Sequence, residues 1–178
     1  MPAHGLSIDQ VLALDEQELA RQCKFEAYKS GGPGGQKRNK TSSGVKWTHL
    51  QTGISAHSND FRTQAENRVR ALHRLRFKLA TDIRTPVDVR GYEPPAWLTE
   101  SRVQGKLTTN VHNPIYARLG AHVLDVFDAI GANPSNASAL LGVPTSNLIH
   151  FLHAEHTIWA AAARMRKTHQ LGPLSASR

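Results

Sequence analysis

The stretch Val45-Lys46-Trp47-Thr48-His49-Leu50-Gln51-Thr52-Gly53-Ile54-Ser55-Ala56-His57-Ser58 sets the architecture of the first half of the chain. Val45, Trp47 and His49 alternate with polar neighbours. Gln51-Thr52-Gly53 offers a turn, and Ile54, Ala56 and Ser58 alternate again. A period of two on both sides of a glycine turn predicts a β-hairpin. Upstream, Cys23 to Tyr28 also alternates and carries Phe25 and Tyr28, so it reads as a strand. Ser30 to Lys40 lies between, with Gly31, Gly32, Pro33, Gly34 and Gly35, and no regular element survives that glycine density. Downstream, from about Asn59, the period becomes helical. Ala65, Val69, Leu72, Leu75 or Arg76, and Leu79 make one apolar stripe, with Arg68, Arg70, Arg74 and Lys78 mostly away from it. The fold class is therefore α+β: a small antiparallel sheet with a helix packed on one face.

Outside this block the chain reads as helix and connection. Ile8, Val11, Leu12, Leu14 and Leu19 have loose helical spacing, and Asp15 to Glu18 can cap a second short helix. Residues 83–114 hold four prolines and two glycines, Gly91 and Gly105, and read as an irregular linker. Tyr92, Trp97 and Leu98 give it apolar surface to pack. From Ile115 the pattern is helical, with Ile115, Leu119, Val123, Val126 or Phe127, and Ile130 on one stripe. A short helix over Asn136–Leu141, a break at Gly142-Val143-Pro144, and a longer helix from Thr145 to about Lys167 complete an all-α module. Expected boundaries are 1–82, 83–114, 115–168 and a tail over 169–178.

Ala137, Leu141, Gly142, Val143, Thr145, Leu148 and Phe151 fall at the spacings of a helix-turn-helix. Ser146, Asn147, His150 and His153 would form its recognition surface. A plain three-helix bundle with a tight turn needs the same residues. His150, His153 and His156 recur on one helix face, but a zinc site wants further Cys, Asp or His nearby and has only Glu155. No metal and no cofactor is implied.

Composition narrows the classes. The chain has 178 residues, 39% hydrophobic and 20% charged, which is the profile of a globular protein with a real core. No apolar run approaches the ~20 residues of a membrane helix. The start, Met1 to Gln10, has neither an apolar signal region nor an Arg-rich amphipathic pattern. One cysteine, Cys23, cannot form an internal disulfide and fits a reducing cytoplasm. The formal net charge is +8, and residues 30–82 alone hold ten of the 22 Lys/Arg against three of the 14 Asp/Glu. A positive field concentrated this way favours a polyanion, with nucleic acid the commonest partner.

Within the glycine run, residues without Cβ let backbone approach another surface closely. Lys37, Arg38 and Lys40 beside it suit a narrow, phosphate-lined cavity. Gln36 cannot act as a general base, because a neutral amide has no useful pKa near 7. It can orient a water through its two donors and one acceptor. Its backbone N–H can donate to charge developing on an oxygen, a contribution of several kcal/mol where such donors are preorganised. This chemistry lacks a protein nucleophile and base, so a partner must supply the rest.

The run Ser30-Gly31-Gly32-Pro33-Gly34-Gly35-Gln36-Lys37-Arg38-Asn39-Lys40-Thr41 is followed by Val45, His49, Thr52-Gly53-Ile54, Arg62-Thr63-Gln64 and Asn67-Arg68. In order and spacing this resembles the catalytic domain of bacterial class I peptide chain release factors and their short ribosome-rescue relatives, over roughly residues 23–82. Arg38 departs from the family's usual valine, and Asn59 from its frequent glutamine. The resemblance implies that Gly34, Gly35 and Gln36 enter the peptidyl transferase centre of the large ribosomal subunit. Gln36 would position water against the ester of P-site peptidyl-tRNA. Lys37, Arg38, Lys40, Lys46 and Arg62 would contact ribosomal RNA. It also implies that a methyltransferase can modify Gln36.

Codon-reading members of that family carry a long N-terminal helical domain and a mixed α/β decoding domain. Here about 22 residues precede the first strand and the last third reads as helical, so stop-codon-independent ribosome rescue in the cytoplasm is expected. Rescue relatives anchor with a basic tail; Arg164, Arg166, Lys167 and Arg178 give a weak version. Two other readings use the same residues: a non-catalytic ribosomal RNA-binding protein, and a helix-turn-helix DNA-binding regulator. The intact Gly34-Gly35-Gln36 run argues against the first. Against the second, the charge sits in the sheet-forming half rather than on the helices.

Overall fold

The computed structural model describes residues 6–29 and 43–175. The chain divides into two compact units, Met1–Leu79 and Ala80–Arg178.

The first unit opens with two short helices, α1 (Ile8–Ala13) and α2 (Glu16–Arg21). Each is started by a reciprocal capping box. Ser7 Oγ accepts from the Gln10 N–H while Gln10 accepts from Ser7, and Asp15 and Glu18 repeat the arrangement. Two otherwise orphan amides are thereby satisfied at each helix start. Three antiparallel strands follow: β1 (Cys23–Tyr28), β2 (Gly44–His49) and β3 (Ser55–Ser58), in the order β1-β2-β3. The register pairs Phe25 with Trp47 and Trp47 with Ala56. Val45, Trp47, His49, Ala56 and Ser58 consequently share one buried face, while Lys46 and His57 point to the other.

Helix α3 (Gln64–Asp82) lies across that buried face. Its Arg68 carbonyl accepts from Trp47 Nε1 at 3.1 Å, and Arg74 and Lys78 donate to the carbonyls of His57 and Ser55 at 3.1 and 2.9 Å. Leu72, Leu75 and Leu79 are buried as the apolar period predicts. The first two turns differ from that expectation. Ala65 is exposed and Val69 is 57% exposed, whereas Asn67 is fully buried and lies on the inward line with Ala71 and Leu75. The inward line at the start of the helix is therefore set by a polar anchor and not by apolar contact.

The second unit contains residues 80–114 as well as the C-terminal helices: α4 (Ala96–Glu100), α5 (Tyr116–Ala129), α6 (Pro134–Leu141), α7 (Thr145–Ala154) and α8 (His156–Thr168). Helix α5 is its core. The sequence pattern predicts one apolar stripe, but Tyr116, Leu119, Val123, Leu124, Val126 and Phe127 are all buried, on nearly every side. A helix that is apolar all round is enclosed by its neighbours. Gly120 fits beneath Ile158, whose Cδ1 would sit 2.3 Å from any added Cβ. Residues 83–114 cover part of this core through the buried Leu98 and Leu107.

The corner between α6 and α7 forms where the sequence places it. Gly142 caps α6 in the left-handed region at φ 63°, and the Arg102 guanidinium donates to the Leu141 carbonyl. Two expectations on this side are corrected. The single helix from Thr145 to Lys167 is broken at Glu155, whose extended backbone (φ −126°, ψ 120°) ends α7 and whose carboxylate accepts from the Ile158 N–H at 2.9 Å to start α8. His156 is thereby separated from the helix carrying His150 and His153. Asn147 does not face outward for recognition: its amide accepts from the Leu107 N–H at 2.8 Å and donates to the Leu107 carbonyl at 3.2 Å.

Candidate functional site

β1 ends at Tyr28 and β2 begins at Gly44, and these two residues are register partners. Residues 29–43 thus connect one end of the sheet to itself, with Gly34-Gly35-Gln36 midway along in sequence. Gly34, Gly35, Gln36, Lys37, Arg38 and Lys40 lie outside the described residues. The base from which they depart is described in full, and it is tightly built. Gly44 lets the Tyr28 ring lie against the backbone, because a Cβ there would approach that ring to 2.6 Å and displace it. Ser43, the residue before it, is buried, and its carbonyl accepts from Asn67 Nδ2 at 2.9 Å.

Asn67 uses all four of its hydrogen-bonding positions. Nδ2 also donates to the Phe61 carbonyl at 2.9 Å, and Oδ1 accepts from the Phe61 N–H and from Ser58 Oγ, both at 3.0 Å. One amide therefore joins the loop's return, the end of β3 and the turn leading into α3. Beside it, Asp60 receives Arg74 at 2.8 Å and Arg70 at 3.7 Å, which fixes the same turn from the outside. Sequence reading registers Asn67 only as part of a recognisable run. Its signal was available: an asparagine one turn before Ala71 and two before Leu75, where an apolar residue is due.

The remaining predicted contacts sit on separate elements. Lys46 is on the polar face of β2, half-exposed and 3.9 Å from Glu26 across the strand pair. Arg62 is exposed just before α3. Many of the other cations of this unit are engaged at home. Arg68 lies over Phe25 and Trp47, 5.1 and 5.2 Å from the ring centroids, and Arg76 donates to the Leu12 carbonyl at 3.3 Å. Burial lowers the pKa of Arg76, with Glu16 and Asp15 opposing. Part of the concentrated positive charge thus holds the domain together.

The described residues of this unit offer no activated nucleophile. Burial pushes the Cys23 thiol up to about 11, so at neutral pH it is protonated and inert. His49 is buried with Nδ1 3.0 Å from Thr52 Oγ1, and burial lowers its pKa, keeping it neutral. Among the described residues, no three His, Cys, Asp or Glu are grouped to hold a metal ion, and no helix is long and apolar enough to cross a membrane.

Comparison with known proteins agrees with this arrangement. The family model of the RF-1 domain matches residues 13–91. Relatives named peptide chain release factor 1 align over 57 to 72 residues of the chain. The one from Symbiobacterium thermophilum is 49% identical over 57 residues, covering 32% of this chain and 16% of the relative. That from Thermoanaerobacter pseudethanolicus is 42% identical over 72 residues, 40% of this chain and 20% of the relative. That from Lacticaseibacillus casei is 44% identical over 68 residues, 36% of this chain and 19% of the relative. The match therefore spans a fifth or less of each relative's length.

Proposed function

We propose that this chain hydrolyses the ester of peptidyl-tRNA in the peptidyl transferase centre of the large ribosomal subunit, releasing the nascent peptide. The observation that carries the reading is the Gly34-Gly35-Gln36 run inside a matched release-factor domain, set between two strands whose ends are clamped together. In this reading Gln36 places a water against the ester carbonyl. Its backbone N–H donates to the charge that develops there, where a preorganised donor is worth several kcal/mol. Ribosomal RNA and the tRNA ribose supply the remaining groups. Lys37, Arg38, Lys40, Lys46 and Arg62 contact RNA phosphates, and Gln36 is a substrate for a glutamine methyltransferase. The single half-buried cysteine suits a cytoplasmic setting.

We assign the activity to stalled ribosomes, independent of a stop codon. Supporting this, the described residues of the second unit are organised as helices around α5, not as a mixed α/β decoding domain. The test uses ribosomes on an mRNA truncated in the P site, carrying labelled peptidyl-tRNA. Release by the wild type that Gly34→Ala removes is the expected result. Equal release by wild type and Gly34→Ala would refute the assignment. Release that appears only when a stop codon fills the A site would refute the rescue mode alone.

A further inference from the structure

We infer that Asn67 is a positioning residue for peptide release: through Ser43 it fixes the start of β2, the strand that follows the glycine run in sequence. This deepens the reading above and rests on it. An asparagine is poorly suited to a helix. Its short amide competes for backbone hydrogen bonds and is unfavourable in helix interiors, so a buried one is retained where a specific polar task needs it. Here the helix continues unbroken past Asn67, which keeps its own N–H on the Thr63 carbonyl. Its side chain instead reaches out of the helix to three other segments.

The four bonds are not equivalent in what they hold. Two go to Phe61 and one to Ser58, within the stretch that joins β3 to α3. The fourth spans 24 residues, to the carbonyl of Ser43. Stability of the β3–α3 turn needs the first three. The bond to Ser43 does something different: it holds the Ser43–Gly44 peptide plane with which β2 begins. Tyr28 against Gly44 holds the other side of the same base. Chemistry that depends on placing one amide beside an ester is sensitive to where the chain on either side is anchored. An error of about 1 Å in positioning can cost roughly 100-fold in rate.

Asn67→Asp keeps the shape and the acceptor but replaces the two donors with an oxygen that faces the Ser43 and Phe61 carbonyls. Leu75→Ala is the control, because Leu75 is buried in the same domain and bonds nothing at the loop base. Single-turnover release on stalled ribosomes is measured against factor concentration, with a melting curve for each variant. Asn67→Asp should lower kcat about 10- to 100-fold with KM within about twofold. Leu75→Ala, destabilised at least as much but assayed below its melt, should keep wild-type kcat. Wild-type kcat in folded Asn67→Asp, or a kcat loss in Leu75→Ala that tracks its stability, would overturn the inference.

Should Asn67→Asp fail to fold, Gly44→Ala decides: it displaces Tyr28 from the same base, and the same loss in kcat alone is required. Hydrogen exchange over residues 43–47 gives a readout that needs no activity. It should quicken in the Asn67 and Gly44 variants by more than in Leu75→Ala at equal loss of global stability. A wild type that releases no peptide would sink the functional reading, while unchanged exchange in Asn67→Asp would sink this one.

Discussion

Helices α3 and α5 are the long elements of the two units, and they are buried in opposite ways. Helix α5 hides apolar side chains on nearly every side, and its polar exception, Asp125, is paired at 2.7 Å with Arg84 and accepts from the Thr85 N–H at 3.0 Å. Helix α3 buries one line, leaves Val69 exposed, and places an asparagine at the head of that line. The difference separates two uses of a helix. One is a hydrophobic axle for a small bundle. The other is a strut whose polar contacts hold a turn and the root of a loop.

The largest effect is expected in the apolar helix α5. Phe127→Ala in α5 removes a fully buried ring and should cost about 3–5 kcal/mol, read from urea unfolding of the intact chain. A loss below about 1 kcal/mol would mean that α5 is not the axle. In the other unit, Gly34→Ala should reduce release on stalled ribosomes by at least about 100-fold, equal to roughly 3 kcal/mol of transition-state stabilisation, with unchanged circular dichroism and melting.

The Arg84–Asp125 pair sharpens the contrast through pH. Burial raises the Asp125 carboxyl to about 6, with Arg84 and the Thr85 N–H opposing; burial also lowers Arg84. Desolvation thus outweighs attraction at both partners. Because the folded pKa lies above the unfolded value, the folded chain holds this proton more tightly. That contribution is complete below pH 4 and is lost as pH rises through about 6. The stability of wild type relative to Asp125→Asn should therefore fall by up to about 2–3 kcal/mol between pH 4 and 7. A difference flat across that range would place Asp125 in a more solvated site.

Two smaller effects complete the set. Replacing Lys37, Arg38 and Lys40 together by Ala should weaken ribosome binding and reduce its salt dependence, by a slope change of up to about 2–3 in log–log terms; an unchanged slope would remove them from the contact set. Val69→Ser should alter stability by no more than about 0.5 kcal/mol, since the side chain already faces water. A cost of several times that would mean the first turns of α3 are covered after all.

Much of this was legible in residues close together. The hairpin over Val45–Ser58, the strand Cys23–Tyr28, the Asp15/Glu18 cap and the corner at Gly142 follow from alternation, turn chemistry and capping, which depend on neighbours within a few positions. The run around Gly34-Gly35-Gln36 carried the family likeness that the match over residues 13–91 bears out. Other features were not legible. Ala65 and Val69 continue the apolar period, whereas the line that faces inward begins at the polar Asn67, so an apolar pattern points to the wrong residues there. The helix break at Glu155 replaces a continuous pattern with a cap. Asn147 looks like a surface residue until Leu107 is brought to it from 40 positions away.

By itself, then, the sequence determined the local elements and named the glycine-glutamine run. Tertiary structure alone decided which side of α3 faces inward, that α5 is enclosed, and that the loop base is held by an amide 24 residues downstream. The reason is physical: turns and caps are satisfied by adjacent backbone groups, whereas burial and the pairing of a buried amide exist only once distant segments have been brought together.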